Sequence, residues 1–172
     1  MDKNQLQVEK QHKLSFRLKL VAGAVALIGL AVFIMFTIQS FTVGAEDPGT
    51  LYFNILTVHP KINIYFTWVT AIFCYAILFQ FWKITDEIGK DNSFSKENAR
   101  HFHQMTILSV LVAVQYLIRI VAFIFLGETT MISVYYRAGM SLIFMLFAVL
   151  TEALSGLVLN AYLMKQEQDL TI

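Results

Sequence analysis

The sequence predicts an all-α integral membrane protein: a four-transmembrane-helix antiparallel bundle with both termini in the cytoplasm. Three observations carry that expectation. Residues 20–38, 64–82, 105–126 and 138–164 are long apolar stretches, the first two free of charge, the third holding Arg119 and the fourth Glu152. About 20 mostly apolar residues cross a hydrocarbon core of roughly 30 Å, and a segment in lipid must satisfy its own backbone polar groups, so each stretch should be a helix. Lysine and arginine collect on alternate connections, which orients the chain. Hydrophobic residues make up 57% of the 172 and charged residues 15%, against about 25% charged in soluble domains. The spans leave no room for a second domain, so residues 1–172 read as one membrane domain.

Taken in order, residues 1–19 mix Lys3, Lys10, Lys13, Arg17 and Lys19 with Leu6, Val8, Leu14, Phe16 and Leu18. They read as a basic anchor, or as an amphipathic segment on the anionic inner leaflet. The following apolar run is too long for the core of a secretory signal, although Val43-Gly44-Ala45 has the small residues of a cleavage site. It reads as a true span. The connection 39–63 holds the turn signal Glu46-Asp47-Pro48-Gly49, an apolar run at 51–58 fit for a short strand or the membrane surface, and Pro60, which breaks what precedes it. Tyr65 and Trp82 bracket the second span at positions suited to interfacial rings. Cys74 inside that span has no second cysteine to pair with and reads as a packing residue.

The connection 83–104 reads as a cytoplasmic helical hairpin. The second helix continues past Lys83 and ends at Gly89, a natural C′ residue. Ser95 is placed to cap the third helix, Glu97 suits the positive end of that helix, and Phe94 with Ala99 would form a weak hydrophobic staple. The second outer loop, 127–137, is short, and Tyr135-Tyr136 marks the outer entry to span four. The count of basic residues then fixes the sidedness. Five lie in the first tail, four (Lys83, Lys90, Lys96, Arg100) in the hairpin and one, Lys165, in the last tail, against Lys61 and Arg137 in the two outer loops. The basic side is cytoplasmic by the positive-inside rule, in a plasma membrane crossed several times.

Two elements resemble a known family. Phe94-Ser95-Lys96-Glu97-Asn98 before the third of four spans, with Gly89 just upstream, is one. The C-terminus, Leu163-Met164-Lys165-Gln166-Glu167-Gln168-Asp169-Leu170-Thr171-Ile172, is the other. Together they resemble the bacterial four-span membrane family known as domain of unknown function 2975, whose members end in an acidic residue followed by Leu-Thr-Ile or Leu-Thr-Val. The chain departs from the pattern at Ser93, where a proline is expected, and near Ala161, where a glycine is. Such proteins resemble neighbours of small helix-turn-helix regulators. The resemblance therefore implies a membrane partner of a transcription factor, an association rather than a mechanism.

Candidate chemistry centres on Arg119 and Glu152. A charge at mid-membrane costs about 2.5–3.5 kcal/mol on insertion scales and usually faces the bundle interior. Gln115 shares the Arg119 stripe, and Ala148, Glu152, Gly156 and Asn160 recur at every fourth position of span four, as Thr67, Thr70 and Cys74 line span two. The expectation is a polar pocket in the outer half of the bundle, with Arg119 as its positive pole and Glu152 below it. Read as a ligand site (Arg119, Glu152, Gln115, Asn160), it would take a small anionic or lipid-like molecule; read structurally, it is a polar clamp. A direct Arg119–Glu152 pair stays open, because their depths differ by about 10 Å. His101 and His103, two apart on a helix, face different ways and make no metal pair; His12 and His59 fall on opposite sides of the membrane.

No hydrolase, zinc-protease or phosphate-loop signature occurs, so neither an enzyme nor a cofactor is expected. A net charge of +1 offers no surface for nucleic acid. Partner contacts are expected from the hairpin (Phe94, Ser95, Glu97, Asn98) and from the tail (Asp169, Leu170, Thr171, Ile172), whose free carboxylate could enter a groove of a partner or pack back on the hairpin. The expected function is that of a non-enzymatic regulator or sensor. It would pass a membrane or envelope signal to a cytoplasmic partner such as a small helix-turn-helix regulator. A small transporter or transporter subunit and a structural or immunity-type protein are the alternatives, and a homo-oligomer is open to all three.

Overall fold

The computed structural model describes the backbone of residues 3–42, 60–126 and 131–170, and side chains at 8–38, 62–126 and 131–168. Four helices follow one another: α1 Lys3–Thr42, α2 Pro60–Gly89, α3 Lys96–Phe125 and α4 Met131–Leu170. Each is long and apolar enough to cross a membrane. They outrun the expected spans because nothing breaks them. Residues 3–19 contain neither glycine nor proline, so the basic tail joins span one as a single helix. Pro60 opens α2; its fixed φ suits the first helical turn, where its missing N–H costs nothing. Residues 131–137, expected as loop, are helical. The Glu46–Gly49 turn, the 51–58 run, His59 and residues 127–130 lie outside the described residues.

The helices pack as a row. α1 packs on α2, α2 on α3 and α3 on α4, while α1 and α4 do not meet among the described residues. Consecutive helices are neighbours, as short connections require, but the ring does not close. On the α1–α2 seam the Ser15 hydroxyl donates to the Thr85 carbonyl at 2.6 Å, Lys19 pairs with Asp86, and the Tyr75 hydroxyl donates to the Ala26 carbonyl at 2.6 Å. On the α3–α4 seam Ser155 donates to the Ala99 carbonyl at 2.8 Å, Thr106 and Thr151 share a hydrogen bond at 2.9 Å, and Ser141 donates to the Ala113 carbonyl at 3.0 Å. Small residues let the backbones approach this closely: Ala71, Ala99, Ser109, Ala113 and Ala148 are all buried. Of the expected span-four stripe only Ala148 is buried against α3. The packed face is instead Ser141, Ala148, Thr151 and Ser155.

At the turn between α2 and α3 the helix passes through Gly89, and the left-handed residue is Asp91, with φ of 59°. Gly89 serves a different need. A β-carbon there would lie 2.9 Å from the Ser15 hydroxyl and 3.2 Å from its Cβ, so glycine lets α1 and α2 close.

α1 and α4 are longer than a bilayer core requires. A 40-residue helix is about 60 Å long, twice the bilayer core, so half of α1 and of α4 must lie outside it. Lys19 pairs with Asp86, its ammonium 5.8 Å from the Trp82 ring, and His103 meets Glu152 at 2.9 Å; the Gln80–His101 contact sets the second pair roughly 12 Å further from the α2–α3 turn than Asp86. Residues 20–42, 62–82, 104–125 and 131–151 carry only Arg119 and Arg137 as charges. Each is about the length that spans a core of roughly 30 Å.

Candidate functional site

Away from the turn, α2 and α3 are joined by a buried polar cluster. Arg119 is 7% exposed, and its guanidinium donates to the Asn63 side-chain oxygen on α2. Two rings flank it, Phe66 at 5.5 Å and Tyr116 at 5.8 Å from the guanidinium carbon, a geometry in which ring quadrupoles attract the cation. One turn along α3, Gln115 donates to the Phe66 carbonyl and accepts from the Thr70 hydroxyl, both at 2.9 Å. Thr70 shares its proton with the Phe66 carbonyl of its own helix. Tyr116 also stacks on Phe144 of α4, ring centres 6.1 Å apart, tying the cluster to the next seam. Arg119 has no carboxylate partner, and its buried Nε has no hydrogen-bond partner, among the described residues.

Arg137 forms a second buried cation near the same end. It is 3% exposed, donates to Ser133 at 3.1 Å and lies 4.2 Å from the centre of the Phe123 ring. The sequence reading put it in a loop; α4 begins at Met131, so it lies on a helix. Asn63, Phe66 and Arg137 were not singled out from the sequence. An asparagine at the rim of an apolar span was the available signal, since a polar side chain there needs a partner.

Of the four expected ligand residues, the structure brings together two, Arg119 and Gln115. Glu152 is elsewhere. It takes a 2.9 Å contact from His103 on the outer edge of the α3–α4 seam. His103 lies 16 residues from Arg119 along α3, or roughly 24 Å, so the open question of an Arg119–Glu152 pair is answered against it. Asn160 is exposed two turns further along α4. His101 turns to the other side and meets Gln80 on α2 at 2.9 Å, so the two histidines do face different neighbours. Among the described residues no group of three or more His, Cys, Asp or Glu is placed to hold a metal.

The turn is a second polar centre. Ser95, with extended φ and ψ of −125° and 157°, accepts from the Asn98 N–H at 3.1 Å and caps α3. The Asn98 amide donates back to the carbonyls of Ser93, at 3.0 Å, and Asn92, at 3.4 Å. Glu87 receives Lys90 and Asn92, each at 2.8 Å, and the carboxylate raises the Lys90 ammonium above its ordinary pKa. Ser95 and Asn98 are 2% and 1% exposed: the turn's own architecture consumes them. Phe94 is 58% exposed and so makes no staple, while Glu97 is also exposed. These two remain free to meet a partner. The side chains of Asp169, Leu170, Thr171 and Ile172 lie outside the described residues.

Four long apolar helices, polar only at their seams and ends, define a multi-pass helical membrane protein. Within that class the chain belongs to the family of proteins of unknown function DUF2975, whose model matches residues 58–172. The match takes in α2, the capped turn, α3 and α4, hence both buried arginines, and leaves out α1. No curated protein and no solved structure matches the chain.

Proposed function

We propose that the protein is a non-enzymatic regulator or sensor of the plasma membrane that passes a condition of the membrane or envelope to a cytoplasmic protein. In this reading the helices cross the bilayer antiparallel, with the α2–α3 turn and both termini in the cytoplasm. Contact order supports that arrangement: Ser15 with Thr85 and Ala26 with Tyr75, Gln80 with His101 and Thr70 with Gln115, Ala99 with Ser155 and Ala113 with Ser141. The excess of lysine and arginine at the turn end supports its sidedness.

One observation carries the functional reading. α2 and α3 are bonded side chain to side chain along their whole shared length, from Asn63–Arg119 through Thr70–Gln115 to Gln80–His101. The last of these contacts lies just before the rigid turn that presents Phe94 and Glu97. A perturbation of the charged outer cluster, by a small anionic or lipid-like molecule, would shift a helix pair that behaves as one unit, and the turn would move with it. Coupling of this kind needs two arrangements of a packed element that both ends bias. Affinity purification from native membranes with a free C-terminus tests the reading. Recovery of a DNA-binding helix-turn-helix protein, lost on Phe94→Ala, is the expected result. Recovery of an ATPase or a second permease instead would make the chain a transporter subunit and overturn it.

A further inference from the structure

Arg119 is a buried cation whose charge the fold does not neutralise. Among the described residues its hydrogen-bond partner is the neutral Asn63, and its buried Nε has none. A buried charge without a counter-charge is costly. A second cation adds to the cost, because the Arg119 and Arg137 guanidinium groups are near enough to repel each other. Both lie against one face of α3, where Tyr116, Arg119 and Phe123 stand three and four residues apart. Arg119 is 5.8 Å from the Tyr116 ring and Arg137 4.2 Å from the Phe123 ring. Such rings attract a cation but cancel none of its charge.

The height of the pair says what supplies the missing charge. Ser155 meets Ala99 and Ser141 meets Ala113; continued along both helices, that register sets Arg137 within about 3 Å of the level of Arg119. The Asn63 contact puts the same level at the start of α2. Tyr65, Tyr135 and Tyr136 are exposed there, and tyrosine rings collect where hydrocarbon meets headgroups. Trp82, with Lys19 beside it, marks the other end of the row. It lies 17 residues from Tyr65, or roughly 26 Å along α2, close to the depth of one bilayer core. In the arrangement proposed above, the two arginines therefore sit at headgroup level, where lipid phosphates are the abundant anions.

We propose that Arg119 and Arg137 together hold the phosphate of an anionic phospholipid headgroup. Guanidinium forks match phosphate oxygens, which makes arginine the side chain suited to such a contact. A phosphate diester shared by the two brings a negative charge to the pair and an acceptor for the Arg119 Nε. Tyr136, close enough to both guanidinium groups to act on their charge, has a hydroxyl to donate to the same phosphate. A headgroup with no cation of its own keeps that negative charge, whereas choline would cancel it. Because the helices form an open row, the headgroup reaches the pair sideways from the leaflet. The inference rests on the reading of this cluster as the input and names the ligand that acts there.

Native mass spectrometry of the full-length protein in detergent tests it, with phosphatidylglycerol, phosphatidylcholine and inorganic phosphate as separate additions. The parent should retain phosphatidylglycerol about tenfold more tightly than phosphatidylcholine, the worth of a charge-assisted contact. Arg137→Gln and the Asn63→Leu, Arg119→Leu pair should each lose that preference. Lys90→Gln, on the turn at the other end, should keep it. Arg119→Lys, which keeps the charge and the fold but not the fork, should bind phosphatidylglycerol more weakly than the parent. Equal retention of the two lipids by the parent, or an unchanged preference in all the arginine variants, would overturn the proposal. So would displacement of bound phosphatidylglycerol by equimolar inorganic phosphate, which would make the ligand a free anion. Partner capture plays no part in this readout, so the lipid site and the regulator reading can fail separately.

Discussion

The Ser15 hydroxyl reaches across from α1 to the Thr85 carbonyl at 2.6 Å, and both residues are buried. This bond exists only because the next residue on that face of α2, Gly89, has no side chain. Gly89→Ala should push Ser15 away and destabilise the α1–α2 seam by about 1–3 kcal/mol, the usual cost of overpacking. Gly23→Ala and Gly139→Ala are the controls. Nothing lies within 4 Å of a β-carbon at either position, so helix propensity should dominate and stabilise by about 0.5–1 kcal/mol. Denaturant titration in mild detergent would show opposite signs.

The Asn63–Arg119 contact makes a sharper prediction. Removing Asn63 strands a buried cation, whereas replacing both partners by apolar residues removes the need for the bond. Asn63→Leu alone should therefore destabilise more than the Asn63→Leu, Arg119→Leu pair. A double-mutant cycle should give a coupling of about 1 kcal/mol or more, above the roughly 0.6 kcal/mol average for membrane hydrogen bonds. Additive mutations would show that the contact holds nothing. Arg119→Leu also separates the two readings of the cluster: a folded protein that no longer signals is the outcome expected of an input site.

Stability and function should come apart at the turn. Ser95→Ala loses a buried helix cap and should cost about 1 kcal/mol. Phe94→Ala changes an exposed side chain and should stay within about 0.5 kcal/mol of the parent, yet it should weaken capture of the cytoplasmic partner. If Phe94→Ala and the parent recover the same partner in equal amounts, the turn is not the contact surface.

The fold was largely legible because hydrocarbon imposes it. Runs such as 64–82 have no other stable form in lipid, and the Ser95 cap is a local signal that needs no tertiary context. What stayed hidden depended on register between helices. Ala148, Glu152, Gly156 and Asn160 share a helix face in the sequence, but only the sliding of α4 against α3 decides that Ala148 packs and Glu152 meets His103. Gly89 reads as a helix stop because its chemistry fits one, and its role as a gap for Ser15 appears only when α1 is in place. Arg137 was lost to the loop because helix ends were set by hydropathy, which a buried, ring-flanked cation does not obey.

We expect the hydrocarbon to end near Glu152, where the apolar run of α4 first meets a charge, and Cys74, the single cysteine of the sequence, can be replaced to check it. Val149 and Leu159 are both surface residues of α4, 62% and 38% exposed, and they lie on opposite sides of Glu152. If the hydrocarbon ends at Glu152, Val149→Cys should resist a water-soluble maleimide and Leu159→Cys should react. Ser93→Cys, on the α2–α3 turn, should react from the same side of the membrane as Leu159→Cys, in inside-out vesicles but not in intact cells. Protection of Leu159→Cys with labelling of Ser93→Cys would place residues 153–164 back in lipid. The His103–Glu152 pair would then lie within the bilayer.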